Sequence, residues 1–365
     1  MPTPFRSLAD GASQRDNNFN LMRLFAAWLV IYGHSYAVTA SPGPDLIQQV
    51  VQIRFAGAVA VDMFFLISGF LIAASFERNR LRDYLAARAL RIFPALIVCV
   101  SLSVFVLGAL LTTSPDYWQS PQTWKYLLRN ITLDKAQYFL PGVFEDLPSK
   151  AINGSIWSLP VEFRLYLLLA ALGMARLLRG WRYNTLAVVG LVAGFMFIDV
   201  AALAPWKVSN LWCQAFFAMG VFAWVNRARI PLTWPLLVVA LGAAAVMRGT
   251  TYFYIAYFIA LSYTTFFVAY VPKLPRLRHH DISYGLYLYG WPSQQLVLHV
   301  APGSGPLFNT FWATLLAGTL AALSWRFVER PALRFKRRRA PAPVAPDVAP
   351  DVVPESMPVA IRDPA

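Results

Sequence analysis

Cysteine, histidine and acid are what this sequence has least of. Its 365 residues include two Cys, four His and 18 Asp plus Glu, against 32 Lys plus Arg. Cys99 and Cys213 both fall inside apolar runs, which argues against a disulfide framework. No Cys or His stands at metal-ligand spacing, so no metal is expected. Only 14% of the chain is charged while 58% is hydrophobic, and that balance excludes an ordinary soluble domain. Also missing are an internal repeat and a Gly-rich phosphate loop set between a strand and a helix. No second, soluble domain is expected.

What the chain does have is long apolar runs. They predict spans near 20–40, 55–75, 92–112, 154–175, 184–204, 210–225, 231–247, 252–271, 282–300 and 307–328, each scaled to the roughly 20 residues that cross a bilayer. The fold expected is an all-α integral membrane protein, about ten transmembrane helices in one bundle. Residues 1–19 form a polar N-terminal segment, and the first apolar run is too long for a signal-peptide core, so it reads as a retained anchor. The membrane domain covers 20–335. Its longest loop, 113–153, holds Trp118, Trp124, Tyr126, Tyr138 and Phe144, which suits an ordered lid at the membrane interface. After the basic run, the Pro-rich stretch within 336–365 predicts a disordered tail.

The net charge of +14 would suit a nucleic-acid partner if it formed one patch. Instead Lys and Arg alternate by loop, roughly threefold richer in the segments on the N-terminal side of the membrane. Both termini are therefore expected in the cytoplasm, with membrane lipid rather than nucleic acid as the surrounding partner.

Ionisable residues within spans are costly and tend to be functional. Arg23 and His34 lie 11 residues apart on the first span, within about 20° of one helical face and ~16 Å apart along the axis. Counting depth from span ends sorts the polar residues into two layers. Arg23, Arg88 and Arg91 make an inner cationic layer, and the three-residue spacing of Arg88 and Arg91 puts their guanidinium forks on one face, fit for phosphate. His34, Asp62 and Glu162 make an outer layer fit for acid–base work, His34 paired with one of the carboxylates. Ser68 and Gly69 sit in the second span, where small residues let helices approach or admit a ligand arm.

With these residues in view, the sequence resembles the membrane-bound acyltransferase family 3. The shared features are the Arg23/His34 pair, "VDMFFLISGFLI" at 61–72, "RALRIFPAL" at 88–96, "WSLPVEFRLY" at 157–166 and "ISYGLYLYGWP" at 282–292. Gly290 stands where many relatives carry a late His, and Arg164 interrupts the fourth motif. The resemblance implies transfer of an acyl group, usually acetyl from acetyl-CoA, to a hydroxyl of an extracytoplasmic glycan or lipid-linked oligosaccharide, in a bacterial inner membrane. It places donor phosphates at Arg88 and Arg91, with Arg23 and Ser68 along the donor's path. His34 becomes general base or acyl carrier, with Glu162 and Asp62 beside it. Two other classes fit many spans with buried ionisable groups: a proton-coupled secondary transporter, and a non-catalytic subunit working with polysaccharide-export partners.

Overall fold

The computed structural model describes residues 7–13, 17–177, 205–275 and 281–335, and all regular structure among them is helical. The span expected at 184–204, His279, His280, residues 1–6 and 14–16 of the N-terminal segment and the tail 336–365 lie outside the described residues. The long helices are α1 (Phe19–Val38), α2 (Ala56–Arg78), α3 (Leu81–Leu102), α4 (Pro121–Thr132), α5 (Ser158–Met174), α6 (Pro205–Val225), α7 (Trp234–Met247), α8 (Phe253–Tyr270), α9 (Ser283–Val300) and α10 (Pro306–Ser324). Counting turns that prolong some of them, seven described helices are long and apolar enough to cross a membrane. The protein is a multi-pass helical bundle.

Two expected spans fall short of that standard for physical reasons. The 14 residues of α7 rise only ~21 Å, short of a hydrocarbon core of about 30 Å. The 18 residues of α9 are long enough, but carry Tyr284, Tyr287, Tyr289, Ser293, Gln294 and Gln295. All six are buried by neighbouring helices, so α9 hides its polar groups in protein instead of offering an apolar face to lipid.

Close helix crossings organise the interior. Where α2 meets α6, a Cβ on Gly69 would stand 2.1 Å from the Phe217 carbonyl oxygen, and one on Gly220 would stand 2.2 Å from that of Leu66. The two backbones touch there, as small residues allow in a medium without a hydrophobic drive between helices. Asp45 joins two helix starts: its Oδ1 accepts from the Gln48 nitrogen at 2.9 Å and its Oδ2 from the Ala56 nitrogen at 2.9 Å, satisfying amides that lack an intrahelical partner. At the far end of α1, Asn18 donates to the carbonyls of Val268 and Pro272 at 2.7 Å each. We call the end where α1 finishes upper, and the end where it starts lower.

One segment inside the bundle departs from α-helix. Residues 149–153, followed by a 3₁₀ turn at Gly154–Trp157, descend beside α9. Gln295 donates to the carbonyls of Ser149 and Ala151, Trp291 to that of Ala151, Asn153 to that of Leu288, and Tyr287 to that of Ser155. From Gln295 to Tyr287 is a descent of ~12 Å along a helix. Side chains of α9 thus satisfy backbone carbonyls that no helix pairs, the condition under which irregular backbone survives at membrane depth.

Candidate active site

Two glycines make room for His34. A Cβ on Gly33 of α1 would stand 2.4 Å from the Gly57 nitrogen of α2, and a Cβ on Gly57 would stand 3.0 Å from the His34 ring. The imidazole lies edge-on to Phe55 and Trp291, with ring centroids 5.2 and 5.0 Å away. Its Nδ1 is 2.8 Å from the Val30 carbonyl oxygen. A carbonyl only accepts, so Nδ1 carries the proton and, in the neutral ring, Nε2 presents a lone pair.

Below His34 lies a cavity of about 330 Å³, whose polar lining includes Arg23, Arg88, Arg91, Ser68, Glu162 and Asp281. Its nearest approach to His34 can be read on two helices. On α2 the lining begins at Val61, four residues below Gly57; on α9 it reaches Tyr287, four residues below Trp291. Both put the cavity one turn, ~6 Å, beneath the imidazole.

The three arginines expected in one layer do meet there, though not as equals. Asp281 Oδ2 accepts from Arg23 Nη1 at 3.1 Å and from Arg91 Nη2 at 2.7 Å, while Arg91 Nη1 stands 3.5 Å from Glu329 Oε2. Ser283 Oγ donates to the other Asp281 oxygen at 2.5 Å. Burial alone would push the Asp281 carboxyl up, but Arg23 and Arg91 outweigh it and hold the group well below the usual carboxylate range. Arg88 has no ion-pair partner among the described residues, and its buried Nε has no hydrogen-bond partner. The indole nitrogen of Trp325, another lining residue, is likewise buried and unpartnered. The cavity therefore faces a ligand with donors left over, which favours an anion.

The expected pairing of His34 with Asp62 or Glu162 is not formed. Asp62 is fully buried and committed elsewhere: Arg54 grips both its oxygens at 2.9 and 2.5 Å, and the Tyr257 hydroxyl donates to it at 2.8 Å. Glu162 accepts from Ser68 Oγ at 2.9 Å and from the Tyr166 hydroxyl. Being level with Ser68, it lies six residues, ~9 Å, deeper than Asp62 on α2 and belongs with the arginines. The depth count failed because residues 149–153 and the 3₁₀ turn Gly154–Trp157 have already carried the chain down before α5 begins. Arg164, for its part, donates to the Asp134 carbonyl at 2.8 Å and does not touch Glu162. Gly290 packs against α1, where a Cβ would stand 2.9 Å from Ile31 Cγ1.

Asp281 and Glu329 were not singled out from sequence, since their partners lie far away in the chain. In sequence Glu329 shows only as an acid between two arginines in "RFVERP"; the structure ends a π-helical stretch, Trp325–Glu329, there, and such bulges recur at functional sites. Among the described residues no group of three His, Cys, Asp or Glu could hold a metal ion.

Comparison with known proteins gives the family. Residues 16–328 match the family described as Acyltransferase domain. The chain is similar to an O-acetyl transferase of Shigella phage Sf6, 30% identical over 344 residues that cover 90% of this chain and 98% of that protein. It is also similar to Nodulation protein 10 of Rhizobium leguminosarum bv. viciae, 29% identical over 371 residues that cover 89% and 95% of the two chains. No solved structure matches it.

Proposed function

The chain belongs to the Acyltransferase domain family and is a membrane acyltransferase; from that premise we propose that it moves acetyl from acetyl-CoA, bound at the arginine-lined cavity, to a hydroxyl of a glycan or lipid-linked sugar at the His34 end. The observation that carries the reading is the pair of unpartnered donors, Arg88 Nε and Trp325 Nε1, in a cavity one turn below an imidazole whose proton is held on Nδ1. A phosphate would satisfy the Arg88 fork. Arg23 and Arg91, already shared with Asp281, flank it and lower the cost of bringing a polyanion to this depth.

His34 then has two ways to act. As general base, Nε2 takes the acceptor hydroxyl's proton while the oxygen attacks the thioester carbonyl; the C–S bond breaks, and the imidazolium returns the proton to the thiolate, giving ester and free CoA thiol. As acyl carrier, Nε2 itself attacks the carbonyl, the thiolate leaves, and the acceptor hydroxyl later takes the acyl group and releases its proton. Glu162, hydrogen bonded to Ser68 and Tyr166, is a positioning residue of the donor site in this scheme. Asp62 supports the fold around the site through Arg54 and Tyr257.

The lower end is the cytoplasmic one in this reading, with both termini inside an inner membrane, because the arginine-rich loops flank that end. Polysaccharide-export partners would then meet the protein on its upper face.

The test is release of free CoA by purified protein given acetyl-CoA and candidate glycans. Wild-type protein turns over repeatedly to release CoA only with acceptor, and His34→Ala loses about 10²–10⁴-fold in rate at unchanged membrane level. A transporter or scaffold would release none. Label retained on His34 when acceptor is withheld would select the acyl-carrier route.

A further inference from the structure

His34 is not among the residues that line the cavity, and the residues at the cavity's upper end are unequal in how they are held. Across the space between α2 and α9, the rings of Phe64 and Tyr287 meet edge to face with centroids 5.8 Å apart. Tyr287 is pinned. Its hydroxyl donates to the Ser155 carbonyl at 2.7 Å, and since that uses its one proton, it accepts from Ser158 Oγ, also at 2.7 Å. Both anchors belong to the chain entering α5, itself tied to α9 by Asn153. Phe64 has no polar anchor and is only half-buried. Of the other residues lining the cavity at this end, Val61 and Leu159 are apolar and Ser158 spends its hydroxyl on Tyr287, so this end suits a short hydrocarbon better than a phosphate.

We propose that the Phe64–Tyr287 ring pair is the acyl-length filter of the donor cavity: Tyr287 is the fixed jaw, Phe64 the movable one, and the gap admits an acetyl group towards His34 while obstructing longer acyl chains. The proposal rests on the donor reading given above. It follows from the spacing, because the cavity top and the imidazole are separated by only ~6 Å along both helices. The acyl carbon must cross that distance with its thioester, and any carbons beyond the second occupy the volume that Phe64 vacates when it turns. In an apolar pocket an added methylene discriminates by about 10–200-fold. The filter acts on the transfer step, not on donor capture, since the phosphate ligands are on other residues.

The experiment measures CoA release with acetyl-, propionyl- and butyryl-CoA, together with binding of each donor, for wild type and for Phe64→Ala, Phe64→Leu and Phe64→Trp. Wild type is expected to lose about 10–200-fold in kcat per added methylene with donor binding little changed. Phe64→Ala should flatten this series to within a few fold, Phe64→Leu should fall between, and Phe64→Trp should slow even acetyl transfer without weakening donor binding. A steep series kept by both the Ala and Leu variants overturns the filter, as does a change confined to donor binding. Should Phe64→Ala fail to reach the membrane, the Leu and Trp variants, close in volume to Phe, decide it by moving the series in opposite directions or not at all. Absence of CoA release from wild type with every donor and acceptor would instead strike the donor reading itself.

Discussion

Arg88 and Asp62 illustrate how differently two charged side chains can serve one bundle. Arg88 faces the cavity with its Nε unpartnered, so its worth appears only with a ligand present. Replacement by Ala should weaken acetyl-CoA binding about 10–150-fold, the loss of a hydrogen bond to a charged group, ~1.5–3 kcal/mol. Lys should recover only part of that, because a point charge lacks the fork; isothermal titration of the donor checks both. Asp62 is the reverse case, held on both oxygens by Arg54 and again by Tyr257. Asp62→Ala strands a buried guanidinium and should cost about 3–5 kcal/mol of stability, read as a lower thermal transition in detergent, before any effect on catalysis is assigned. Asp281 links charge to pH. Since its folded carboxyl titrates below the ordinary value near ~3.9, its ion pairs contribute stability above that pH and lose it as pH falls further. The wild-type thermal transition should therefore drop between pH 5 and pH 3, and Asp281→Asn should remove part of that drop. Of these residues, Arg23, His34, Arg88 and Arg91 were legible because helical periodicity and composition alone place them. Asp281 was not, for its partners stand 258 and 190 residues away in sequence.

Helices were legible wherever an apolar run was long, since hydrocarbon leaves the backbone no alternative. Their depth was not. Glu162 was placed from the presumed upper end of a span, whereas the chain enters α5 only after 149–157 has descended on the side chains of Gln295, Trp291, Asn153 and Tyr287. No periodicity announces such a segment, because its hydrogen bonds come from another helix. The polar face of α9 is the complementary signal, visible in sequence only as a run of Tyr, Ser and Gln. Gly69 of "ISGF" was readable as a close-approach residue, while its counterpart Gly220 in "AMGV" was not singled out; the crossing of α2 with α6 uses both. A methyl group at Gly69 or Gly220 would fall 2.1 or 2.2 Å from a backbone carbonyl oxygen, which no side-chain rotation relieves. Gly69→Ala and Gly220→Ala should each cost about 1–3 kcal/mol and should not add fully when combined, as the first separation of the backbones relieves both contacts. Gly242→Ala, at a position where nothing lies within 4 Å, is the matched control, and thermal transitions in one detergent compare all four proteins.

For the molecule as a whole, the bundle's two ends are distinguished by chemistry before they are assigned to a compartment. The lower end gathers Arg23, Arg88 and Arg91 around the cavity, and the upper end holds His34. Transfer across the bundle requires the lower end to face the compartment that holds acyl-CoA; the orientation proposed above, argued from the distribution of Lys and Arg, makes that the cytoplasm. Single cysteines test this directly. Gly43, after the upper end of α1, has nothing within 4 Å of where a Cβ would stand, and Arg80, after the lower end of α2, is exposed. The native Cys99 and Cys213 are 1% and 0% exposed, so an impermeant thiol reagent should leave the parent protein unlabelled. Gly43→Cys should then react from the periplasmic side of intact cells, and Arg80→Cys only after the cytoplasmic face is opened in inverted vesicles. The opposite pattern would put His34 beside the cytoplasm and the cavity's unpartnered Arg88 towards the outside, where a cytoplasmic donor could not reach it; the filter between Phe64 and Tyr287 would then stand on the wrong side of the imidazole to act on an acyl group at all.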